Sequence, residues 1–224
     1  MTTDAPETPE WNIDLDWNAV PKPQPEKTVE DIIPEEDQPI KVAKRRSTEC
    51  LVRTQQNIYR RAFSETQLLD AVGFDFRDGQ SYHCITAGDV DSLSYLKTVL
   101  RQQNLDYCLF STWCMATEDI LQIEDWIIMG KIKKLDAYVG EIFPGSYRHE
   151  YNALRRVITP EIGKIVVFKN HAKIYAGYGE KFYFGIETSA NINTNPRTEN
   201  GCITIGKDIF EFYFQYFNGI KSFE

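Results

Sequence analysis

Four polar side chains from two neighbouring segments could together bind and transfer a phosphate group. His171 and Lys173 follow the apolar run 165–168, which predicts a strand, and residues two apart on a strand share one face. Ser189 and Asn191 have the same spacing, so they share a face by the same rule. Lysine supplies charge, serine and asparagine donate hydrogen bonds, and histidine can attack phosphorus or carry a proton. This combination of groups suits a phosphate ester.

The segment between the two pairs predicts the turn that would bring them together. Tyr175–Lys181 contains two glycines, which favour a hairpin that folds the second strand back on the first. The imidazole, ammonium, hydroxyl and carboxamide would then surround one point. His171 and Lys173 alone would suggest a histidine at a strand end beside a solvated lysine. The downstream Ser189 and Asn191 favour a site.

Charge is distributed unevenly along the 224 residues, of which 42% are hydrophobic. Residues 1–42 hold 11 acidic residues, 3 lysines and seven of the ten prolines, so they carry the whole net charge of −8. Such a composition buries too little apolar area to offset chain entropy. We therefore expect residues 1–45 to be a disordered acidic tail and residues 46–224 to form one neutral folded domain. A neutral domain can still hold a basic groove for nucleic acid.

Two tryptophans, Trp11 and Trp17, form an apolar island in the tail. They could dock a protein partner or the folded domain, or they could simply be solvated. The sequence has five cysteines without paired spacing and no Cys-x-x-Cys motif, which argues against a zinc site. It also has no signal peptide and no apolar run of transmembrane length. These features favour a cytoplasmic protein that does not enter a membrane.

Strands alternate with helices along the folded domain, so it should belong to the α/β class, with a mixed, largely parallel sheet flanked by helices. A capping box at Ser64–Gln67 predicts a helix ending at Gly73, and Asp89 or Asp91 should cap a second helix. Three more helices are predicted, over 117–130, 148–157 and 209–217, the last capped by Asp208. Strands are predicted over 82–87, 107–113, 135–139, 165–168, 182–187 and 202–205.

The chain resembles the phospholipase D superfamily in these motifs and in element order over most of 80–220. The family signature is His-x-Lys, an Asp after four further residues, and Gly-Ser-x-Asn. His171-Ala-Lys173 and Ser189-Ala-Asn191 match it, while Tyr178 occupies the Asp position and Thr188 the Gly position. Glu199 is similar to the acidic residue that follows the asparagine in many members.

The resemblance implies a metal-independent phosphodiesterase that needs no cofactor. His171 would attack phosphorus to form a phosphohistidine, Lys173 and Asn191 would hold the phosphate oxygens, and Glu199 could orient His171. A second histidine must protonate the leaving oxygen. Family members with one motif are homodimers whose two sites meet, and those known are nucleases. The resemblance therefore implies a homodimeric nuclease. The lack of targeting signals and the compact single motif favour a bacterial or phage protein.

Other interpretations fit the same residues. Ser189 and Arg197 could contact phosphate, although Arg197 could equally be a solvated residue in the Asn195-Pro196 turn. Tyr178 and Thr188 at motif positions fit a catalytically decayed protein that binds nucleic acid or a protein partner without cutting. Lipid phosphodiesterase activity ranks last, because no amphipathic membrane helix is evident. The sequence does not distinguish DNA from RNA.

Overall fold

The structure, a computed structural model, describes residues 56–62, 65–73, 75–87, 90–192 and 197–223, with backbone only for 56–62 and 87. The predicted tail, with Trp11 and Trp17, lies outside these residues, as do Ser64, Asp89 and Asn195-Pro196. The elements in chain order are β1 (Gln56–Ala62), α1 (Glu65–Val72), β2 (Gln80–Ala87), α2 (Ser92–Leu100), β3 (Tyr107–Thr112), α3 (Thr117–Ile128), β4 (Leu135–Gly140), α4 (Phe143–Ser146), α5 (Arg148–Val157), β5 (Ile165–Phe168), β6 (Ile174–Tyr178), β7 (Tyr183–Thr188), β8 (Thr198–Ile205) and α6 (Lys207–Asn218).

All described strands join one eight-stranded sheet in the order β1-β2-β8-β7-β6-β3-β4-β5. The predicted mixed α/β architecture is confirmed. Three neighbouring pairs are parallel and four are antiparallel, so parallel pairing is less dominant than the sequence indicated. The difference arises because the meander β6-β7-β8 occupies the middle of the sheet and reverses direction at every step.

One strand, β6, was interpreted from the sequence as a turn. Its residues Ile174–Tyr178 pair with β3 on one side and β7 on the other, and the turn itself occupies only residues 179–182. Gly177 allows this close packing, because a Cβ there would lie 2.6 Å from the carbonyl oxygen of Tyr107. Strand β1, which no apolar run marks, was also missed.

Helices cover both faces of the sheet unequally. Buried residues of α1, α2, α3 and α5 share one hydrophobic core with Phe110, whereas its strand neighbour Leu109 packs on the opposite face beneath α6. This alternation follows from the two-residue period of a strand. Helix α6 buries Phe210 and Phe217 against that second face.

Helix ends largely follow the local sequence. Asp91 caps α2 by accepting a hydrogen bond from the amide of Ser94 at 2.8 Å, as predicted. Gly73, with a φ of 80°, follows the last residue of α1. The predicted cap of α6 was wrong: Gly206 is the capping residue, and Asp208 lies in the first turn. Among the described residues, no helix is both long and apolar enough to cross a membrane.

Strand directions determine where functional groups can gather. At one edge of the sheet, β1, β2, β3, β4, β5 and β7 end, and β6 and β8 begin. We call this the carboxyl edge and the opposite one the amino edge. Ligands of open α/β sheets usually bind beyond the carboxyl ends of the parallel strands.

Candidate active site at the carboxyl edge

The loop that carries His171 and Lys173 connects β5 to β6 across the carboxyl edge. The sequence placed these residues at the end of β5, but the structure places them in residues 169–173, immediately before β6. The hairpin β6-β7 continues past its last ladder pair, because the amide of Thr188 donates to the carbonyl of Lys173 at 3.1 Å. The hairpin therefore brings the His-x-Lys and Ser-x-Asn segments to the same edge.

His171 and Lys173 are in direct contact. The Lys173 ammonium lies 2.9 Å from Nδ1 and 3.4 Å from Nε2 of His171, and it donates to the His171 carbonyl oxygen at 2.7 Å. A protonated lysine can only donate, so the imidazole nitrogen that faces it uses its lone pair as acceptor. The imidazole is exposed, whereas Lys173 is only 7% exposed. The ammonium thus forms the floor of the site.

The buried ammonium is electrostatically coupled to its surroundings. Burial lowers the pKa of Lys173, and the nearby Cys114 and Glu199 act in the opposite direction. Burial also raises the pKa of the Cys114 thiol, which a hydrogen bond with Tyr147 and the charge of Lys173 partly offset. Cys114 and Glu199 therefore lie near enough to the ammonium to act on its charge, and Tyr147 contacts Cys114.

Ser189 and Glu199 form a second hydrogen-bonded pair, and Glu199 is near enough to act on the charge of Lys173. The Ser189 hydroxyl donates to the Glu199 carboxylate and accepts from the amide of Asn200 at 3.0 Å. The amide of Ser189 donates to the Asn200 carbonyl at 2.9 Å. Glu199 was expected to orient His171. Its hydrogen bond in the structure is with Ser189 instead, while His171 rests on Lys173.

Asn191 carries an unsatisfied side-chain atom. Its Oδ1 is buried and has no hydrogen-bond partner among the described residues. The backbone carbonyl of Asn191 accepts from the amide of Ser92 at 3.2 Å, so the residue is fixed at the first turn of α2. Buried polar atoms are rarely left without a partner, and an orphaned one is typical of a place that a ligand or water fills. The amide can present either its oxygen or its NH₂ group to such a ligand.

Three further positions named in the sequence analysis, Arg197, Tyr178 and Thr188, add no catalytic group to the site. Arg197 is exposed and follows residues outside the described part of the chain. Tyr178, at the family's Asp position, lies at the far end of β6, where it contacts Tyr107, Tyr183 and Phe210 beneath α6. It therefore belongs to the core of the second sheet face and not to the site. Thr188 donates to the carbonyl of Ala190 at 2.8 Å, which helps to bend the chain after β7.

The structure adds two residues that sequence analysis missed. The Trp113 ring lies 5.5 Å from the His171 imidazole, centroid to centroid, with an angle of 49° between the planes. Asn170 is 7% exposed, and its amide group donates to Ser111, Thr112 and Tyr138 at 2.9–3.2 Å. Its Oδ1 accepts from the amide of Ala172 at 3.0 Å. Asn170 thus ties the loop around His171 to the ends of β3 and β4.

Two carboxylates lie near the first turns of α2 and α3. Burial, together with the nearby Asp91, raises the pKa of Asp119 to about 7. Both charges also act on the buried hydroxyl of Tyr175, which lies 2.9 Å from Ser92 Oγ. In the described ranges, no group of three or more His, Cys, Asp and Glu side chains is placed to hold a metal ion.

Comparison with solved structures finds distant likeness only. No protein-family model and no curated protein matches the sequence. A solved polyphosphate kinase from Porphyromonas gingivalis resembles the chain with a TM-score of 0.45 and 14% sequence identity. The likeness covers 62% of this chain and 25% of the kinase, so the chain spans about a quarter of that protein.

Proposed function

We propose that the carboxyl edge is a phosphate site and that the protein is a metal-independent phosphodiesterase, acting on nucleic acid as a homodimer. The observation that carries this proposal is the buried Lys173 ammonium in hydrogen-bond contact with the exposed His171 imidazole. A buried cation strongly favours an anionic ligand, because the protein must compensate its charge. Asn191, with an unsatisfied Oδ1 beyond the end of the same hairpin, supports the proposal.

The proposed first step transfers the phosphoryl group to histidine. A phosphate that enters the site draws the Lys173 ammonium away from the imidazole and so releases the ring nitrogen's lone pair. That nitrogen attacks phosphorus, a P–N bond forms, and the P–O bond to the leaving group breaks. His171 of the partner subunit gives a proton to the leaving oxygen. Lys173 and the amide of Asn191 stabilise the charge that develops on the phosphate oxygens.

The second step reverses these roles. Water loses a proton to the imidazole of the partner subunit and attacks phosphorus, and the P–N bond breaks. Both histidines return to their starting protonation states, and neither proposed step uses a metal ion. Neutral imidazole is a reasonable nucleophile near pH 7, since the ordinary pKa of histidine lies nearby.

The experiment is cleavage of single- and double-stranded DNA and RNA in the presence of EDTA. We expect cleavage in the wild type and a loss of about a thousandfold or more in His171→Ala, as removal of a nucleophile produces. His149→Ala is the matched control, because His149 is an exposed histidine on α5. Inhibition by EDTA, or unchanged cleavage by His171→Ala, would contradict the mechanism.

A second candidate is a protein that binds nucleic acid or a protein partner without cleavage. Tyr178 favours it, because this residue packs beneath α6 and supplies no carboxylate to the site. Nucleic-acid binding without cleavage, unchanged in His171→Ala, would select the nucleic-acid-binding form of this alternative.

The homodimer is tested separately by light scattering at the concentrations used for cleavage. We expect twice the chain mass of 26.0 kDa. An active monomer would remove the partner's histidine from the proposed mechanism.

A further inference from the structure

A polar cleft of about 440 Å³ opens at the amino edge of the sheet. The candidate active site lies at the opposite, carboxyl edge. Its walls come from the end of α2, the segment that joins α2 to β3, the segment before β4 and the turn between β6 and β7. A second cavity of about 310 Å³ shares Leu100, Arg101 and Lys131 with it. Both volumes lie within or near the range of small-molecule sites.

Positive charge predominates in this cleft. Four cations line it, together with the carboxylates Asp106 and Glu180. The cations are Arg101, Lys131, Lys133 and Lys181. The cleft is thus positive by two charges, in a chain whose net charge is −8. Such a local excess attracts anions.

The lysines of the cleft differ in their ion pairs and hydrogen bonds. Lys133 forms an ion pair with Asp106 at 2.7 Å, and Lys181 donates to the carbonyl oxygen of Gln102 at 2.6 Å. Lys131 is half-buried, and within the described residues its ammonium has no hydrogen bond or ion pair. Lys131 also lines both cavities, so its charge lies where they adjoin.

The walls around Lys131 are held in place by a buried glutamine. Gln103 is 7% exposed, and its amide donates to the Phe182 carbonyl at 2.9 Å. Its oxygen accepts from the amides of Lys181 and Phe182 at 3.0 and 3.2 Å. These bonds fix the β6-β7 turn against the end of α2. The cleft is therefore preformed, which reduces the entropy cost of binding.

We propose that this cleft is an anion site for phosphate groups, with Lys131 as the central ligand and Arg101 beside it. An ammonium and a guanidinium with neighbouring carboxamides match the oxygens of a phosphate. The phosphate can belong to a nucleic-acid strand or to a small phosphorylated molecule. The site lies at the edge opposite to His171, so the inference does not rest on the proposed function.

Titration calorimetry with inorganic pyrophosphate at low ionic strength tests this inference. We expect Lys131→Gln to weaken binding by about tenfold or more, the effect of losing one charged hydrogen bond. Lys221→Gln, an exposed lysine elsewhere on the surface, is the control of equal charge change and should leave binding unchanged. Equal binding by wild type and Lys131→Gln would overturn the proposal.

Lys173→Gln separates the two edges. If pyrophosphate binding disappears in Lys173→Gln and persists in Lys131→Gln, the anion occupies the carboxyl edge and the cleft proposal fails. The nature of the ligand follows from repeating the titration with a ten-residue thymidine oligonucleotide. Weakening by Lys131→Gln with both probes assigns the cleft to phosphate in general, and weakening with the oligonucleotide alone assigns it to a strand. The cleavage assay with His171→Ala tests the carboxyl edge alone, so its outcome does not depend on either titration.

Discussion

Asn170 should be the main support of the loop that presents His171, and Asn170→Ala tests this. The NH₂ group has two hydrogens for three acceptors, the Ser111 hydroxyl and the carbonyls of Thr112 and Tyr138. Two donated bonds and one accepted from Ala172 make three full hydrogen bonds. At about 1 kcal/mol each, their loss should lower the free energy of unfolding by about 3 kcal/mol.

Urea unfolding of the wild type and Asn170→Ala measures this difference. Ser111→Ala is the matched control. Its hydroxyl accepts from Asn170 and donates to the Ala172 carbonyl at 3.1 Å, so this variant should cost about 2 kcal/mol, less than Asn170→Ala. Hydrogen exchange at the amide of Ala172 gives a local measure, since this amide donates to Asn170. A loss below about 1 kcal/mol in Asn170→Ala, with unchanged exchange at Ala172, would refute the supporting role.

Two further predictions concern Asp119 and Gly201. Burial raises the pKa of Asp119 to about 7 from an ordinary value of 3.8, so its contribution to stability is complete below the ordinary pKa and is lost as the pH rises through 7. Asp119→Asn should therefore gain in urea midpoint relative to the wild type between pH 5 and pH 8, and a constant difference would contradict this. A Cβ at Gly201 would lie 2.3 Å from the buried Tyr95 ring, so Gly201→Ala should lower the free energy of unfolding by about 1–3 kcal/mol. Gly145→Ala, with nothing within 4 Å, is its control, and equal unfolding energies of the two variants would contradict the packing argument.

The convergence of the two motif segments at one edge follows from local rules. The two-residue period of strands and the glycine-bearing hairpin suffice to bring Lys173 and Thr188 together. The boundaries of β6 did not follow, because Gly177 and Gly179 favour a turn. The missing side chain of Gly177 instead allows close packing against β3, where it faces the backbone of Tyr107. That constraint is tertiary and leaves no local pattern.

The role of Asn170 could not be predicted for a similar reason. Its partners Ser111, Thr112 and Tyr138 lie 59, 58 and 32 positions away in the sequence. Only the strand order β3-β4 brings them beside the loop. Tyr178 illustrates the opposite case. Counting along the motif gives it the position of the family's Asp, whereas the extended backbone of β6 carries it to the other edge.

The most direct test of the central claim is a crystal structure with tungstate, a phosphate analogue whose anomalous scattering identifies it. The account predicts a tungstate within hydrogen-bond distance of Lys173 Nζ and the side-chain amide of Asn191, with the imidazole of His171 facing the metal centre of the oxyanion. Tungstate bound elsewhere, with the Lys173–His171 contact intact at 2.9 Å, would contradict it.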